Sequence, residues 1–289
     1  MNNSLPFSAL FRGLVFTCLA CFWSACSNES PDEEQPDKSN RPTIQFSMLG
    51  DTASFQDSVI SLSEKRKNKK DTSQVSQIIF SFPQIKQFAK KTVKDSLNVA
   101  ILKMMLLNES GEIAYTSLSE RQANFIEEYE TNKADMAAFG GDFDMKWFCE
   151  VKIEVVLNTP NLLTLRFFEA NFTGGAHANM CTRYLNFNMQ TGQKIENKEL
   201  FVENAGFEQQ LLPVAEAKFK QFIQARELSP DEFQFEEGAF PMTQNIAVGQ
   251  KGLILSYDPY ELGAFALGSI ELEIPYEEIY PILNKKLLR

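Results

Sequence analysis

The sequence predicts an α+β fold: an antiparallel sheet with packed helices, arranged as two intimately associated subdomains. Three observations carry that reading. Apolar residues alternate with polar ones over 147–155 and 183–189, which is the period of a half-buried strand. They recur at three and four residues over 93–105 and 205–227, the spacing of one helix face. The links between consecutive strands are short and turn-like, which favours antiparallel pairing over crossovers.

The chain begins with a segment that belongs to export rather than to the fold. Leu14 to Ala25 is an apolar run behind a single positive charge, Arg12. At about a dozen residues it is too short to span a bilayer, which takes roughly 20. It ends in Trp23-Ser24-Ala25-Cys26, small residues directly before a cysteine, and this resembles a lipobox. Residues 1–25 are therefore expected to be a lipoprotein signal peptide, with Cys26 acylated on its thiol and left as the first residue. Each buried methylene contributes about 0.8 kcal/mol, so two or three acyl chains anchor stably where one binds reversibly. Residues 26–42 are acidic, rich in proline and empty of large apolar side chains, and they read as a flexible tether. Ser27 after the cysteine points to the outer membrane, on its periplasmic or surface face.

Two subdomains are expected beyond the tether, an N-terminal one over 43–142 and a C-terminal one over 143–289. Residues 45–58 show no clear period. Ser61 to Ser76, with the basic run Lys65-Arg66-Lys67-Asn68-Lys69-Lys70, reads as a solvated loop. Gln77 to Phe82 reads as a strand that Pro83 ends. The first helix carries Val93, Leu97, Ala100, Ile101, Met104 and Met105 on one face, and Lys90, Lys91, Lys94 and Asp95 on the other. A more polar helix over Ser119 to Ala138 offers a narrow stripe of Phe125, Ile126, Tyr129 and Met136, and Gly140-Gly141 stops it.

The C-terminal part opens on the strand Trp147 to Val155. A turn at Asn158-Thr159-Pro160-Asn161 leads to a second strand, Leu162 to Phe172. After the 173–179 loop comes a third strand, whose alternating set is Arg183, Leu185, Phe187 and Met189. The clearest helix is Ala205 to Glu227, expected to pack across the sheet. Leu253, Leu255 and Tyr257 mark another strand, and Ile270, Leu272 and Ile274 the last. Between those two lies an aromatic loop, Asp258 to Ser269, too long for a tight hairpin. Pro275 opens a short C-terminal helix, where its missing N–H costs least.

Composition narrows the function classes. The formal net charge is −10 and no basic stripe runs along any face, so nucleic acid is excluded as a partner. An acidic surface attracts cationic partners instead. Cys149 and Cys181 are the two cysteines outside the leader and the anchor. They form either a disulfide or two separately buried thiols. No metal or cofactor motif is found, and none is expected.

His177 is the only histidine, so an enzymatic reading must start there. Its sequence neighbours Gly174-Gly175 read more simply as a tight turn of positive φ, with His177 bonding the backbone. The acidic pairs Glu277-Glu278 and Asp258/Glu261 read as solvated surface rather than as a hydrolase pair. Tyr260 and Phe265 carry more weight, since loop aromatics supply large contact area at low entropic cost.

The segment Asn171-Phe172-Thr173-Gly174-Gly175-Ala176-His177-Ala178-Asn179 resembles a known family. It is followed in the right order by Phe187 to Gly192, Glu199-Leu200-Phe201, Leu253 to Glu261 and Ile274 to Ile279. The family is the extracytoplasmic domain of the lysozyme-sensing anti-sigma-V factor. That domain also occurs before the catalytic domain of a peptidoglycan deacetylase and in many lipoproteins. The likeness extends over residues 75 to 285, and it implies a two-part α+β fold with lysozyme, a strongly cationic protein, as the ligand of its better-understood members. Where those relatives carry Pro-Tyr after Pro-Tyr-Glu, this chain has Ala264-Phe265. The ring is kept, while a hydroxyl and a backbone restraint are lost.

The expected function is thus a non-enzymatic envelope lipoprotein that binds a protein or cell-wall ligand, a lysozyme-like protein or a peptidoglycan fragment. The binding residues are Pro259, Tyr260, Glu261 and Phe265 from the loop, with Gly174, Gly175 and His177 from the turn. The rival is a wall-modifying hydrolase that uses His177 with a carboxylate.

Overall fold

Strand pairing along the chain builds a six-stranded sheet in sequence order, from β1 (Ser54–Lys65), β2 (Gln74–Gln87), β3 (Trp147–Asn158), β4 (Leu162–Phe172), β5 (Asn179–Asn188) and β6 (Lys194–Ile195). A computed structural model describes Phe46 and residues 52–288, except 66–73, 109, 141–144, 203–205, 231–232, 234 and 236–238. The leader, Cys26 and the tether lie outside the described residues, as do Arg66 to Lys70 and Gly141. The pair β2/β3 is parallel and the others are antiparallel. Its crossover holds α1 (Lys91–Met104) and α2 (Leu118–Ala138), as a parallel pair requires.

A second sheet, β7 (Ile246–Val248), β8 (Gly252–Tyr257) and β9 (Ile270–Pro275), packs with α3 (Phe207–Ala225). Two short helices, α4 (Tyr276–Ile279) and α5 (Lys285–Leu288), close the chain. The fold is therefore α+β, as expected. At Gly252 a side chain has no room, because a Cβ would lie 2.1 Å from the Ile274 carbonyl oxygen across the β8/β9 pair.

Two apolar cores form. Val93, Leu97, Ile101 and Met104 of α1 pack with Phe125 and Tyr129 of α2 onto Phe80, Val151, Leu165 and Phe167 of the large sheet. The second core gathers Leu211, Phe219 and Ile223 of α3 with Leu253, Leu255, Leu272 and Ile274 of the small sheet. These cores do not part at residue 142, because β3, β4 and β5 complete the sheet begun by β1 and β2. A parallel pair joins strands far apart in sequence, so the junction between subdomains is invisible to local pattern.

Three local expectations are corrected. Ser61 to Lys65 and Gln74 to Ser76 are strand rather than loop, paired with Ser61 opposite Ile79 and Glu64 opposite Ser76. β1 is an edge strand whose residues from Ser54 to Ser61 are largely exposed, and an edge tolerates polar residues without apolar alternation. Pro83 does not end β2. Pairing with β3 stops at Ser81, so from there β2 has only β1 beside it, and a missing N–H is tolerated on the open side. In β3 the alternation holds through Ile153 and then breaks. A bulge between Val155 and Leu157 turns Val155 outward, to 37% exposure, and buries Leu157.

The thiol alternative resolves toward two separate buried cysteines. Cys149 lies on β3 opposite Asn171, and Cys181 lies on β5 opposite Glu169, with β4 between them. Two strand spacings are about 9.6 Å, beyond the roughly 4.4–6.8 Å that a disulfide spans between Cα atoms. Alkylation of the unreduced, denatured protein should therefore label both Cys149 and Cys181 without prior reductant. Recovery of a peptide linked through the two would sink this assignment.

Candidate functional site

The 173–179 loop leaves β4 and returns as β5, and the 258–269 loop leaves β8 and returns as β9. Their tips meet. Gly174 and Gly175 have φ of 114° and 99°, values that only glycine adopts without strain, and they bring His177 round to the other loop. The His177 ring stacks on Phe265, with centroids 3.6 Å apart and planes 13° apart. Its Nε2 is 3.0 Å from the Tyr260 hydroxyl, and its Nδ1 is 3.1 Å from the Ala178 carbonyl oxygen. Tyr260 and Phe265 are themselves 5.7 Å apart. The three aromatic residues picked out in the sequence therefore form one cluster across two loops.

Tyr260 is unusual within it. The residue sits at φ 75° and is 66% exposed. A bulky side chain in left-handed backbone is strained, and such strain persists only where neighbours hold it. Here the His177 bond and the two ring contacts do so.

Below the cluster the loop is pinned to the large sheet. Asp258 accepts a 2.7 Å hydrogen bond from the Thr182 N–H and pairs with the guanidinium of Arg183. Glu261 folds its carboxylate back along the loop to accept the Asp258 N–H at 2.6 Å. Desolvation there, with the Asp258 carboxylate adding to it, pushes the Glu261 carboxyl above its ordinary pKa against the opposing Asp258 N–H and Arg183. Pro259 lines a cavity of about 250 Å³ with Tyr260 and Phe265, and Asn171 and Asn179 line it too.

The carboxylates are engaged elsewhere than at His177. Glu278 pairs with Lys218 at 2.6 Å, while Asp258 and Glu261 hold the loop. Both ring nitrogens of His177 meet oxygen atoms that are not carboxylates.

Sequence reasoning missed two features beside the cluster. Arg183 stood among the alternating core residues of β5, yet it is half-buried and paired with Asp258. An arginine in an apolar register is itself the signal for such a partner. The second feature is a buried pair, Arg121 of α2 and Glu169 of β4, 2.6 Å apart, whose arginine lines a neighbouring cavity. Arg121 lies outside the apolar stripe of a polar helix, and only the tertiary fold buries it.

Comparison with known proteins fits this fold. Residues 68–180 match the family model described as Deacetylase PdaC, and residues 198–277 match that of a protein of unknown function, DUF3298. A crystal structure of a DUF3298 family member from Bacteroides fragilis NCTC 9343 aligns with a TM-score of 0.63 at 21% identity, covering 81% of this chain and 95% of that one. A DUF3298 family protein from Pseudomonas aeruginosa PAO1 aligns with a TM-score of 0.61 at 18% identity, covering 83% of this chain and 98% of that one. Among curated proteins nothing matches. Residues 68–180 and 198–277 therefore match, in order, the extracytoplasmic cell-envelope domain family that the Asn171–Asn179 motif and its companions resemble.

Proposed function

We propose that this protein is a lipid-anchored envelope lipoprotein that captures a cationic protein ligand of the lysozyme type rather than turning over a substrate. The single observation that carries the reading is the His177, Tyr260 and Phe265 cluster. It joins two loops at the surface and holds Tyr260 outward in strained backbone. Rigid aromatic anchors of this kind dominate binding energy at protein interfaces. The net charge of −10 supports attraction of a cationic partner over a distance. Acylation at Cys26, removal of 1–25 and a tether over 26–42 would keep the domain near the outer membrane while leaving the loops free.

Retention of lysozyme on the immobilised protein should be strong at low salt and should fall as salt rises. Tyr260→Ala and Phe265→Ala should each weaken it by about thirtyfold, since truncating a central aromatic costs about 2 kcal/mol or more. No retention at low salt would remove this ligand. Cleavage of muropeptides that disappears with His177→Ala would overturn capture in favour of chemistry.

A further inference from the structure

A cavity of about 380 Å³ beside the cluster opens between α2, the 105–117 connection and the ends of β3, β4 and β5. It shares Asn171 and Asn179 with the smaller one, so the two adjoin as neighbouring parts of one groove, the smaller part lined by Tyr260 and Phe265. From the amides and hydroxyls that line this groove we infer that it is a binding site for a short stretch of neutral, hydroxyl-bearing oligosaccharide.

The lining chemistry selects that class by elimination. An anion finds no net positive charge, because Arg121 is spent on Glu169 and Arg183 on Asp258, while Glu128 adds an acid at the rim. The groove as a whole has one more acid than base. An apolar ligand would bury the Asn179 amide and the Thr173 and Tyr115 hydroxyls without water to bond them. A polyhydroxylated ligand satisfies them, since an amide both donates and accepts and can meet two hydroxyls at once.

Hydrogen-bonding capacity is also available where a ligand would need it. Among the described residues nothing bonds the side-chain amide of Asn179 or the hydroxyls of Tyr115 and Thr173. Burial raises the Tyr115 phenol above its ordinary value against the pull of Arg121, so it remains a donor. The lining guanidinium is held in place: Arg121 is fixed by Glu169 at 2.6 Å and by the Met105 carbonyl at 2.7 Å. The volume lies at the small end of ligand pockets, about 300–1,000 Å³, which suits one sugar, and the adjoining cavity gives room for the next.

This site goes beyond protein capture by the loops, and different ligands test the two. The purified full chain, held in detergent, is titrated calorimetrically with tri-N-acetylchitotriose, with cellotriose and with inorganic phosphate. Saturable binding of at least one trisaccharide is expected, with none of phosphate. Asn179→Ala should weaken the trisaccharide about tenfold, the effect of losing one good two-point contact, and Tyr115→Phe should weaken it as well. Asn179 is exposed at the start of β5, so its variant should fold as the parent does. Neither variant should alter lysozyme retention. The inference is overturned if neither trisaccharide saturates by about 10 mM, if phosphate binds instead, or if both variants keep the parental affinity. Sugar binding without lysozyme retention would leave the groove standing and remove the capture reading, and the reverse would do the opposite.

Discussion

Arg121→Ala should destabilise the fold by about 3–5 kcal/mol, the largest effect expected from any single substitution described above. Arg121 is 3% exposed, and its guanidinium gives one N–H to Glu169 at 2.6 Å and another to the Met105 carbonyl at 2.7 Å. It also lies over the rings of Tyr115 and Phe80, at 5.1 Å and 5.7 Å. Truncation leaves the Glu169 carboxylate buried, with the weaker contacts from Asn171 at 3.4 Å and Cys149 Sγ at 3.7 Å in place of the ion pair. An uncompensated buried charge costs far more than the intact pair contributes, because pairing mainly offsets desolvation that both ions have already suffered. The double variant Arg121→Met with Glu169→Leu should therefore lose less stability than Arg121→Ala alone. Urea denaturation measures this as a shift in midpoint at constant slope. A single-variant loss below about 1 kcal/mol would mean that water reaches Glu169 and that the pair is not buried in solution.

The helices and central strands were legible because each buries one face and shows the matching period. Leu162–Phe172 coincides with its expected bounds, and α2 begins one residue before its expected start, at Leu118. Elements that bury both faces or neither left no such mark. Thr182, Tyr184 and Asn186 of β5 are buried against the second sheet, so the expected inward set of Arg183, Leu185, Phe187 and Met189 described only one side. β7 escaped notice because three residues are too few to show a period. β1 was hidden by its exposure on an edge. At the candidate site the sequence named the residues, since glycines and loop aromatics are local signals. It could not say that His177 meets Tyr260 and Phe265, because that contact spans 83 residues and depends on two turns.

Another feature that no local pattern reveals is the use of asparagine side chains in place of strand neighbours. Asn98 of α1 accepts the Ile85 N–H at 2.8 Å and donates to its carbonyl at 3.1 Å, where β2 has lost β3. Asn158 serves Ala53 in the same two-point way, at 3.3 Å and 2.8 Å. Asn245 accepts the Tyr184 N–H and donates to the Thr182 carbonyl, both at 2.7 Å, along the edge of β5 that β6 does not reach. A primary amide presents one acceptor and two donors, which mimics the peptide group of a missing strand. Backbone groups at these edges are thereby satisfied without offering a free edge to another chain.

Asn186 is the most buried of the set and the one that stitches the two sheets together. It is 2% exposed. It donates to the Ile246 carbonyl at 2.8 Å, accepts the Val248 N–H at 2.9 Å and accepts the Thr164 hydroxyl at 3.0 Å. Asn186→Leu keeps nearly the same volume but strands all three partners in a dry interior. Each stranded group costs about 1–3 kcal/mol, so a loss of about 3 kcal/mol or more is expected. Asn186→Asp should not rescue it, since the carboxylate still accepts from Val248 but turns an oxygen toward the Ile246 carbonyl and buries a charge. The loss should be local as well as global, because β7 depends on this side chain for its bond to β5. Native-state hydrogen exchange should therefore show the Val248 amide losing more protection than the Leu165 amide, which lies within the large sheet. A variant within about 1 kcal/mol of the parent, with Val248 still protected, would show that β7 is held by its apolar contacts with β8 and that the amide bridge is incidental.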